Sequence, residues 1–185
     1  MKSFASKLSV FLLAAAAASS QTADRLTGAK AIQPGAGGQS RVEREVRHEL
    51  VMLPYYGVFD NLAYRVNGST VALLGQVTRP TLKDDAGKAV RSIEGIERVD
   101  NQIRVLPLSP MDDHIRLAEH RAIYSQPGLE KYALQAIPPI HIIVENGHVT
   151  LEGVVANQAD KDMAYVRANS VSGVFSVTNN LRVEK

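Results

Sequence analysis

Residues 149–183, "VTLEGVVANQADKDMAYVRANSVSGVFSVTNNLRV", resemble residues 71–105, "VALLGQVTRPTLKDDAGKAVRSIEGIERVDNQIRV". A shift of 78 positions aligns Val66–Val105 with Val144–Val183 without a gap, and 14 of the 40 positions are identical. A match at a fixed offset indicates an internal repeat. The identical residues that we interpret as structural are the pairs Gly75 and Gly153, Gly95 and Gly173, and Asn101 and Asn179.

Each copy begins with a predicted β-hairpin. In the first copy, "LAYRV" and "VALLGQV" alternate apolar and polar residues, which is typical of strands with one buried face. Asn67-Gly68 lies between them, and Asn146-Gly147 is the predicted turn of the second copy; both residue types tolerate positive φ in a tight turn. Gly75 leaves space where another element comes close, and we expect that element to be the following helix, at Ala86.

A helix and a third strand are predicted to follow each hairpin. In the first copy we expect Thr81 to cap the helix, Asp84 and Asp85 to favour its positive end, and Gly95 to stop it. The strands "RVDNQIRV" and "FSVTNNLRV" come next. Because a helix connects them, the second and third strands of each copy are predicted to run parallel.

An amphipathic helix is also predicted before each hairpin, within residues 40–53 and 111–125. The predicted fold class is therefore α+β: two tandem αββαβ domains, each a three-stranded mixed sheet packed with two helices. The domains are predicted at 41–107 and 112–184, with a proline-containing linker at 108–111, and residues 126–139 predict a short helix and a turn. Domains this small have marginal cores, which favours packing of the two units together or against another surface.

The N-terminus has the composition of an export signal. Residues 1–20 contain Lys2 and Lys7, an apolar run too short to span a bilayer, and small residues that suit cleavage. We interpret them as a signal peptide, with a retained anchor helix as the alternative, and residues 21–40 as a flexible leader. The location predicted for the mature protein is periplasmic or secreted. Residues 21–185 hold 19 basic and 19 acidic residues, which favours no nucleic-acid partner, and no Cys is available for disulfides.

The doubled pattern "V-x-L-x-G-x-V", an Ala-bearing helix, "G-[IV]" and "V-x-N-x-[IL]-x-V" resembles BON domains, the bacterial osmotically-inducible and nodulation type. The resemblance covers roughly residues 41–107 and 112–184. It implies a non-enzymatic protein of the cell envelope, associated with phospholipid membranes, with osmotic or envelope stress and, in some members, with protein partners or chaperone-like binding. The residues that precede the first strand of the second copy depart from the usual spacing.

No catalytic or metal-binding pattern accompanies the repeat. The histidines have no spacing that promises the three or four convergent ligands of a zinc site: His48, His114, His120, His141 and His148. Neither a nucleophile elbow nor a phosphate-binding or dinucleotide-binding loop occurs. We therefore predict no catalytic residues, no metal and no cofactor.

Two groups of residues are candidates for lipid or partner contact. The aromatic residues Tyr55, Tyr56 and Phe59 suit a membrane interface or, alternatively, the closing of a small core. The basic residues Arg79, Lys83 and Lys88 could contact anionic headgroups or belong to a solvated helix face with mixed charges. The function hypothesis is binding to anionic phospholipid or to envelope proteins under osmotic stress; the alternative is a periplasmic chaperone-like protein-interaction module.

Overall fold

The computed structural model describes residues 30–31 and 40–184, and the first repeat accounts for the front half of this range. Its helices are α1 (Arg41–Val51) and α2 (Pro80–Arg91). Its strands are β1 (Lys30–Ala31), β2 (Asn61–Asn67), β3 (Thr70–Val77), β4 (Arg98–Asn101) and β5 (Arg104–Val105).

The second repeat has the same order of elements with one addition. Its helices are α3 (Pro110–Tyr124) and α4 (Gln158–Asn169), with a short 3-10 helix at Glu130–Leu134 inserted before the hairpin. Its strands are β6 (Ile140–Glu145), β7 (His148–Val155) and β8 (Ser176–Val183). The short helix lies where the sequence predicts one, whereas α3 begins inside the stretch predicted as a linker.

The strand pairing confirms the predicted α+β fold class. In each repeat the hairpin strands pair antiparallel, β2 with β3 and β6 with β7, and the strand after the crossover helix pairs parallel with the second hairpin strand. The third strand of the first repeat is split into β4 and β5, and β1 adds an antiparallel pair at the outer side of β2. That pair comes from the leader, most of which, like the predicted signal peptide, lies outside the described residues.

Each repeat has its own apolar core between its sheet and its two helices. In both cores, buried residues recur at every second position along the hairpin strands, because successive side chains of a strand point to opposite faces. The first core includes Val46, Leu50, Leu62, Tyr64, Val71, Leu73, Val77, Leu82, Ala86 and Val90. The second includes Ile115, Ile123, Tyr132, Ile140, Ile142, Val144, Val149, Leu151, Ala164 and Leu181.

The two hairpins use different turns, which corrects one prediction. In the second repeat Asn146 and Gly147 both have positive φ, at 54° and 77°, and they form the two-residue loop that was predicted. In the first repeat Asn67 pairs with Thr70 as the last residue of β2, so the loop is Gly68-Ser69. Glycine at its first position supplies the positive φ, 60°, that the turn needs.

Gly75 is required by strand geometry and not, as predicted, by the approach of a helix. Its φ is 114°, and a Cβ placed there would lie 2.0 Å from the carbonyl oxygen of Asn61 on the neighbouring strand. Gly153, at the matching position, has φ 135°. The shared glycine therefore permits a local backbone conformation between the hairpin strands that side chains disfavour.

The first turn of α2 also differs from the prediction. Its N-cap is Arg79, followed by Pro80 at the first helical position, and no side chain caps it. Because the helix begins at Pro80, Thr81 lies inside it and Asp84 and Asp85 lie beyond its first turn. None of the three therefore caps or charges the start of the helix. The helix ends at Arg91, and Gly95 follows in the turn that leads to β4, with φ 90°.

The shared asparagine connects the third strand to the crossover helix. In the first repeat, Asn101 donates from Nδ2 to the carbonyl oxygen of Lys83 (2.8 Å), and its Oδ1 accepts from the amide of Ile103 (3.2 Å). In the second, Asn179 makes the same two bonds, to Lys161 (3.0 Å) and from Leu181 (3.2 Å). This side chain thus satisfies one backbone group of the helix and one of the strand.

Candidate functional site

The three aromatic side chains of segment 52–60, which joins α1 to β2, do not share one surface: one is exposed to solvent and two are directed inward. Tyr55 is 73% exposed, Tyr56 is only 9% exposed, and Phe59 is half-buried against the core of the second repeat. The predicted aromatic group is therefore not a single surface. One side of the segment faces solvent and the other side faces the second repeat.

The solvent side combines apolar and basic groups. Tyr55 has φ 68°, an unusual backbone conformation for a bulky residue, and such strained residues concentrate at functional positions. The guanidinium carbon of Arg79 lies 4.9 Å from the centre of the Tyr55 ring, at cation–π distance. Met52, 67% exposed, and Pro54 belong to the same segment. We call Met52, Pro54, Tyr55 and Arg79 the Tyr55 patch.

The inward side contacts His141 on β6. The Tyr56 hydroxyl lies 3.4 Å from Nε2 of His141, the two rings stack at 5.6 Å, and Nδ1 lies 3.3 Å from the carbonyl oxygen of Gly57. Burial lowers the pKa of His141 to about 4. The imidazole is therefore neutral near pH 7, and we assign the proton to Nδ1, which donates to Gly57 while Nε2 accepts from Tyr56.

Neighbouring residues extend this contact between the repeats. The amide of Ile142 donates to the carbonyl oxygen of Val58 (2.8 Å), and the ring of Phe59 meets that of His120 edge-on at 6.2 Å. At a different place, both terminal nitrogens of Arg104 donate to the carboxylate of Glu145, at 3.3 and 2.8 Å. The two units are thus joined by main-chain, aromatic and ionic contacts.

Asp60 fixes the conformation of the segment. Its Oδ1 accepts from the amide (2.7 Å) and the hydroxyl (2.9 Å) of Thr78, and its Oδ2 accepts from the amide of Gly57 (3.2 Å). Burial raises the pKa of Asp60, and the bonds from Thr78 oppose that rise. This carboxylate, 3% exposed, is the anchor that positions both sides of the segment.

The basic candidates are distributed along α2. Arg79 joins Tyr55, whereas Lys83 lies one turn further along and is half-buried. Lys88, near the other end of the helix, forms an exposed ion pair with Asp85 at 3.4 Å. The structure therefore brings together two of the six contact candidates, Tyr55 and Arg79, and no sequence signal announced the positive φ of Tyr55.

The described part of the chain gives no support to a metal centre. Within residues 30–31 and 40–184, no group of three or more His, Asp or Glu side chains could hold a metal ion. In the same range, no helix is both long and apolar enough to cross a bilayer.

Comparison with known proteins places the chain in a family. The BON domain model matches residues 39–107 and 128–185. Over 127 residues the chain is 28% identical to osmotically-inducible protein Y of Escherichia coli (strain K12), an alignment that covers 67% of this chain and 62% of that protein. The chain thus spans less than two thirds of this relative's length.

Two solved structures of CdsD, a structural protein of the type III secretion system of Chlamydia trachomatis, are also similar. One is 12% identical and covers 77% of this chain and 91% of its own; the other is 14% identical and covers 78% and 98%. Both have a TM-score of 0.29, which is too low to carry an argument. The family match, in contrast, covers more than half of the chain in two segments, and the chain belongs to the BON domain family.

Proposed function

We propose that this protein acts without catalysis in the cell envelope, periplasmic or secreted, where it binds anionic phospholipid surfaces through the Tyr55 patch during osmotic stress. The family and the name of the Escherichia coli relative support the link to osmotic stress. The signal-like composition of residues 1–20 supports export.

The observation that carries the lipid proposal is an exposed, strained tyrosine beside an arginine. Tyrosine rings sit well at the boundary between headgroups and acyl chains. Arg79 can contact a lipid phosphate while its guanidinium stays at cation–π distance from the Tyr55 ring. Each basic residue near an anionic surface contributes about 1 kcal/mol. The exposed Met52 side chain adds apolar area in the same segment as Tyr55.

Sedimentation with anionic vesicles at low salt tests this proposal. We expect the mature protein to bind, Tyr55→Ser to lose most of the binding, and Arg79→Gln to lose about fivefold, because one contact near an acidic surface is removed. Two variants serve as matched controls: Arg91→Gln, at the other end of α2, and Phe175→Ser, an exposed aromatic residue of the second repeat.

The controls decide between surfaces. If Phe175→Ser lost binding and Tyr55→Ser kept it, the contact would lie on the second repeat. If the wild-type protein failed to sediment with anionic vesicles, phospholipid binding would be wrong. Replacing Tyr56 or Phe59 cannot test lipid contact cleanly, because both side chains pack toward the second repeat.

A chaperone-like protein-interaction function is the second candidate, and one observation favours it. The second repeat exposes Tyr165, Val166 and Phe175 at positions where the first repeat carries Gly87, Lys88 and Glu97. Exposed apolar side chains can cover the apolar surface of an unfolding protein. This function predicts that the protein suppresses aggregation of a model substrate, and that Val166→Lys with Phe175→Glu removes the effect.

A further inference from the structure

The outer edge of β6 is protected by groups that do not belong to a strand. The hydroxyl of Tyr124 donates to the carbonyl oxygen of Ile140 (2.5 Å), and Nη2 of Arg116 donates to that of Val144 (2.6 Å). Between them, the amide of Ile142 donates to Val58. An unprotected edge strand would be a template for another chain. Two of these three protecting contacts come from a single element, α3.

The same helix holds a carboxyl group that has no partner. Glu119 is 0% exposed, and neither of its carboxyl oxygens forms a hydrogen bond. Nε of Arg116, one turn away, is also buried without a partner. Glu119 lies between Ile115 and Ile123 in the helix sequence, and both of these side chains belong to the second core.

The elements packed against α3 bring no charge that compensates Glu119. The core-facing side chains of β6 and α4 are mainly aliphatic: Ile140, Ile142, Val144, Ala164 and Ala168. Several other titratable groups on and around α3 have partners of their own: Asp112 with the Asn146-Gly147 amides, Arg116 with Asp113, His120 with Phe59 and Tyr124, His141 with Tyr56 and Gly57, and Asp160 with Lys131 and Tyr132. His114 and Arg121 are the remaining titratable groups of α3.

Burial of an ionised carboxylate without a partner is strongly unfavourable, so the proton stays on the group in the folded state. Burial raises the pKa of Glu119 to about 8, and no other cause contributes. In the unfolded chain the carboxyl ionises near its ordinary value of 4.5. Between these values the unfolded state binds fewer protons, so the folded state loses stability as pH rises.

We propose that α3 is a proton-controlled strap over the β6 edge, closed while Glu119 carries its proton and released when the proton leaves. Release frees the carbonyl groups of Ile140 and Val144 on the outer edge of β6. His120, on the same helix, then also withdraws from Phe59, which loosens the contact between the repeats. This inference concerns the second repeat and does not depend on lipid binding at the Tyr55 patch.

Urea unfolding of the full chain between pH 6.5 and pH 8 is the first measurement. Over this range the unfolding equilibrium constant of the wild-type protein should rise roughly tenfold from Glu119. Glu119→Gln, which keeps the shape and cannot ionise, should remove this rise. Glu130→Gln, an exposed carboxyl in the same repeat, should leave it unchanged.

Amide hydrogen exchange, corrected for intrinsic chemistry, separates release of α3 from global unfolding. Exchange in α3 should accelerate with pH in the wild-type protein, while exchange of the amides in α1 and β3 should not. In Glu119→Gln this pH dependence of α3 should disappear.

Two results would overturn the inference. One is an equal pH slope in wild type and Glu119→Gln. The other is acceleration of α1 and β3 to the same extent as α3, because α3 would then not open as a separate element. The first result includes the absence of any slope in both proteins. In that case the ionised Glu119 finds a partner, for which Nε of Arg116 is the available donor, and the strap is not controlled by this proton.

Discussion

Thr78 directly follows the second strand of the first repeat, and Ala156 follows that of the second repeat. The two repeats satisfy this backbone amide by different means. Asp60 accepts from the Thr78 amide at 2.7 Å. At the matching position the Ala156 amide donates to the hydroxyl of Tyr132 at 2.8 Å, and that hydroxyl donates to Asp160 at 2.6 Å. A carboxylate of a short connecting segment thus corresponds to a tyrosine of the inserted 3-10 helix.

This difference distinguishes the residues that the shared fold requires in both repeats from the residues that can vary between them. The glycine between the hairpin strands and the asparagine of the third strand are identical in both repeats, because they satisfy local geometry. The connection before the hairpin differs, because the amide that follows the second strand can be satisfied by any suitably placed acceptor. In the first repeat that freedom produced a segment that binds the second repeat through Tyr56 and Val58.

The largest expected effect tests whether the two glycines are equivalent. Gly75→Ala should reduce the free energy of unfolding by more than about 4 kcal/mol, because the new Cβ would clash with a backbone oxygen in a conformation that alanine disfavours. Gly153→Ala should be of similar size, since its φ is also positive. Gly57→Ala, with no atom within 4 Å of the added carbon, is the control in urea unfolding. A tolerated Gly75→Ala would contradict the shared requirement.

The next prediction concerns the contact between the repeats at acidic pH. The folded pKa of His141, about 4, is below the ordinary 6.5, so the unfolded state binds more protons between these values. Stability should therefore fall as pH is lowered from 6.5 to 4, by up to about 3 kcal/mol.

The comparison with His141→Gln isolates this effect, because other groups titrate in both proteins. The difference in unfolding free energy between wild type and variant should change by about that amount across the window. A difference independent of pH would show that His141 is not buried as a neutral group.

Removal of the acceptor of the Thr78 amide should reduce the unfolding free energy more than removal of the acceptor of the Ala156 amide. Asp60→Ala should reduce the unfolding free energy by about 3 kcal/mol, because three partly buried donors lose their acceptor. Tyr132→Phe should cost about 1 kcal/mol, since Asp160 keeps its bonds from Lys131 and Asn157. Chemical denaturation measures both, and an equal cost would contradict the distinction.

The smallest expected effect is at the shared asparagine. Asn101→Ala and Asn179→Ala should each cost about 1 kcal/mol and should do so equally, because each loses the same two bonds. Asn180→Ala serves as the control, because Asn180 is next to Asn179 but its side chain donates to the carboxylate of Glu152, in an exposed hydrogen bond. Faster hydrogen exchange at Ile103 in Asn101→Ala would locate the lost bond. Unequal costs would show that the two copies have diverged here too.

The sequence predicted most of the fold because the fold depends on periodic and repeated features. Alternation along the strands, the offset of 78 and the crossover helices led to the strand order and the parallel pairing. The errors occurred where a single residue determines the local structure. Pro80 begins α2, so Thr81 does not cap it, and the turn of the first hairpin is displaced by one residue from Asn67-Gly68.

The candidate site was less predictable because its components depend on tertiary contacts. Nothing in "MLPYYGVFDN" shows that Tyr55 points outward while Tyr56 reaches His141, 85 positions further along the chain. The burial of Glu119 without a partner was equally invisible, since its helical spacing relative to Ile115 and Ile123 becomes informative only once α3 is docked. The family resemblance supplied an expectation of lipid contact and did not indicate the surface.

The hydrogen bond from Ile142 to Val58 has a consequence for how this gene can change. This main-chain bond crosses the boundary between the two units, so the second unit depends on the first to satisfy one of its backbone amides. Removal of the front half would leave the back half with a vacant amide and an uncovered imidazole. Chimaeras that combine halves from different relatives should therefore aggregate or unfold readily unless residues 57–60 are kept together with the second repeat that they contact.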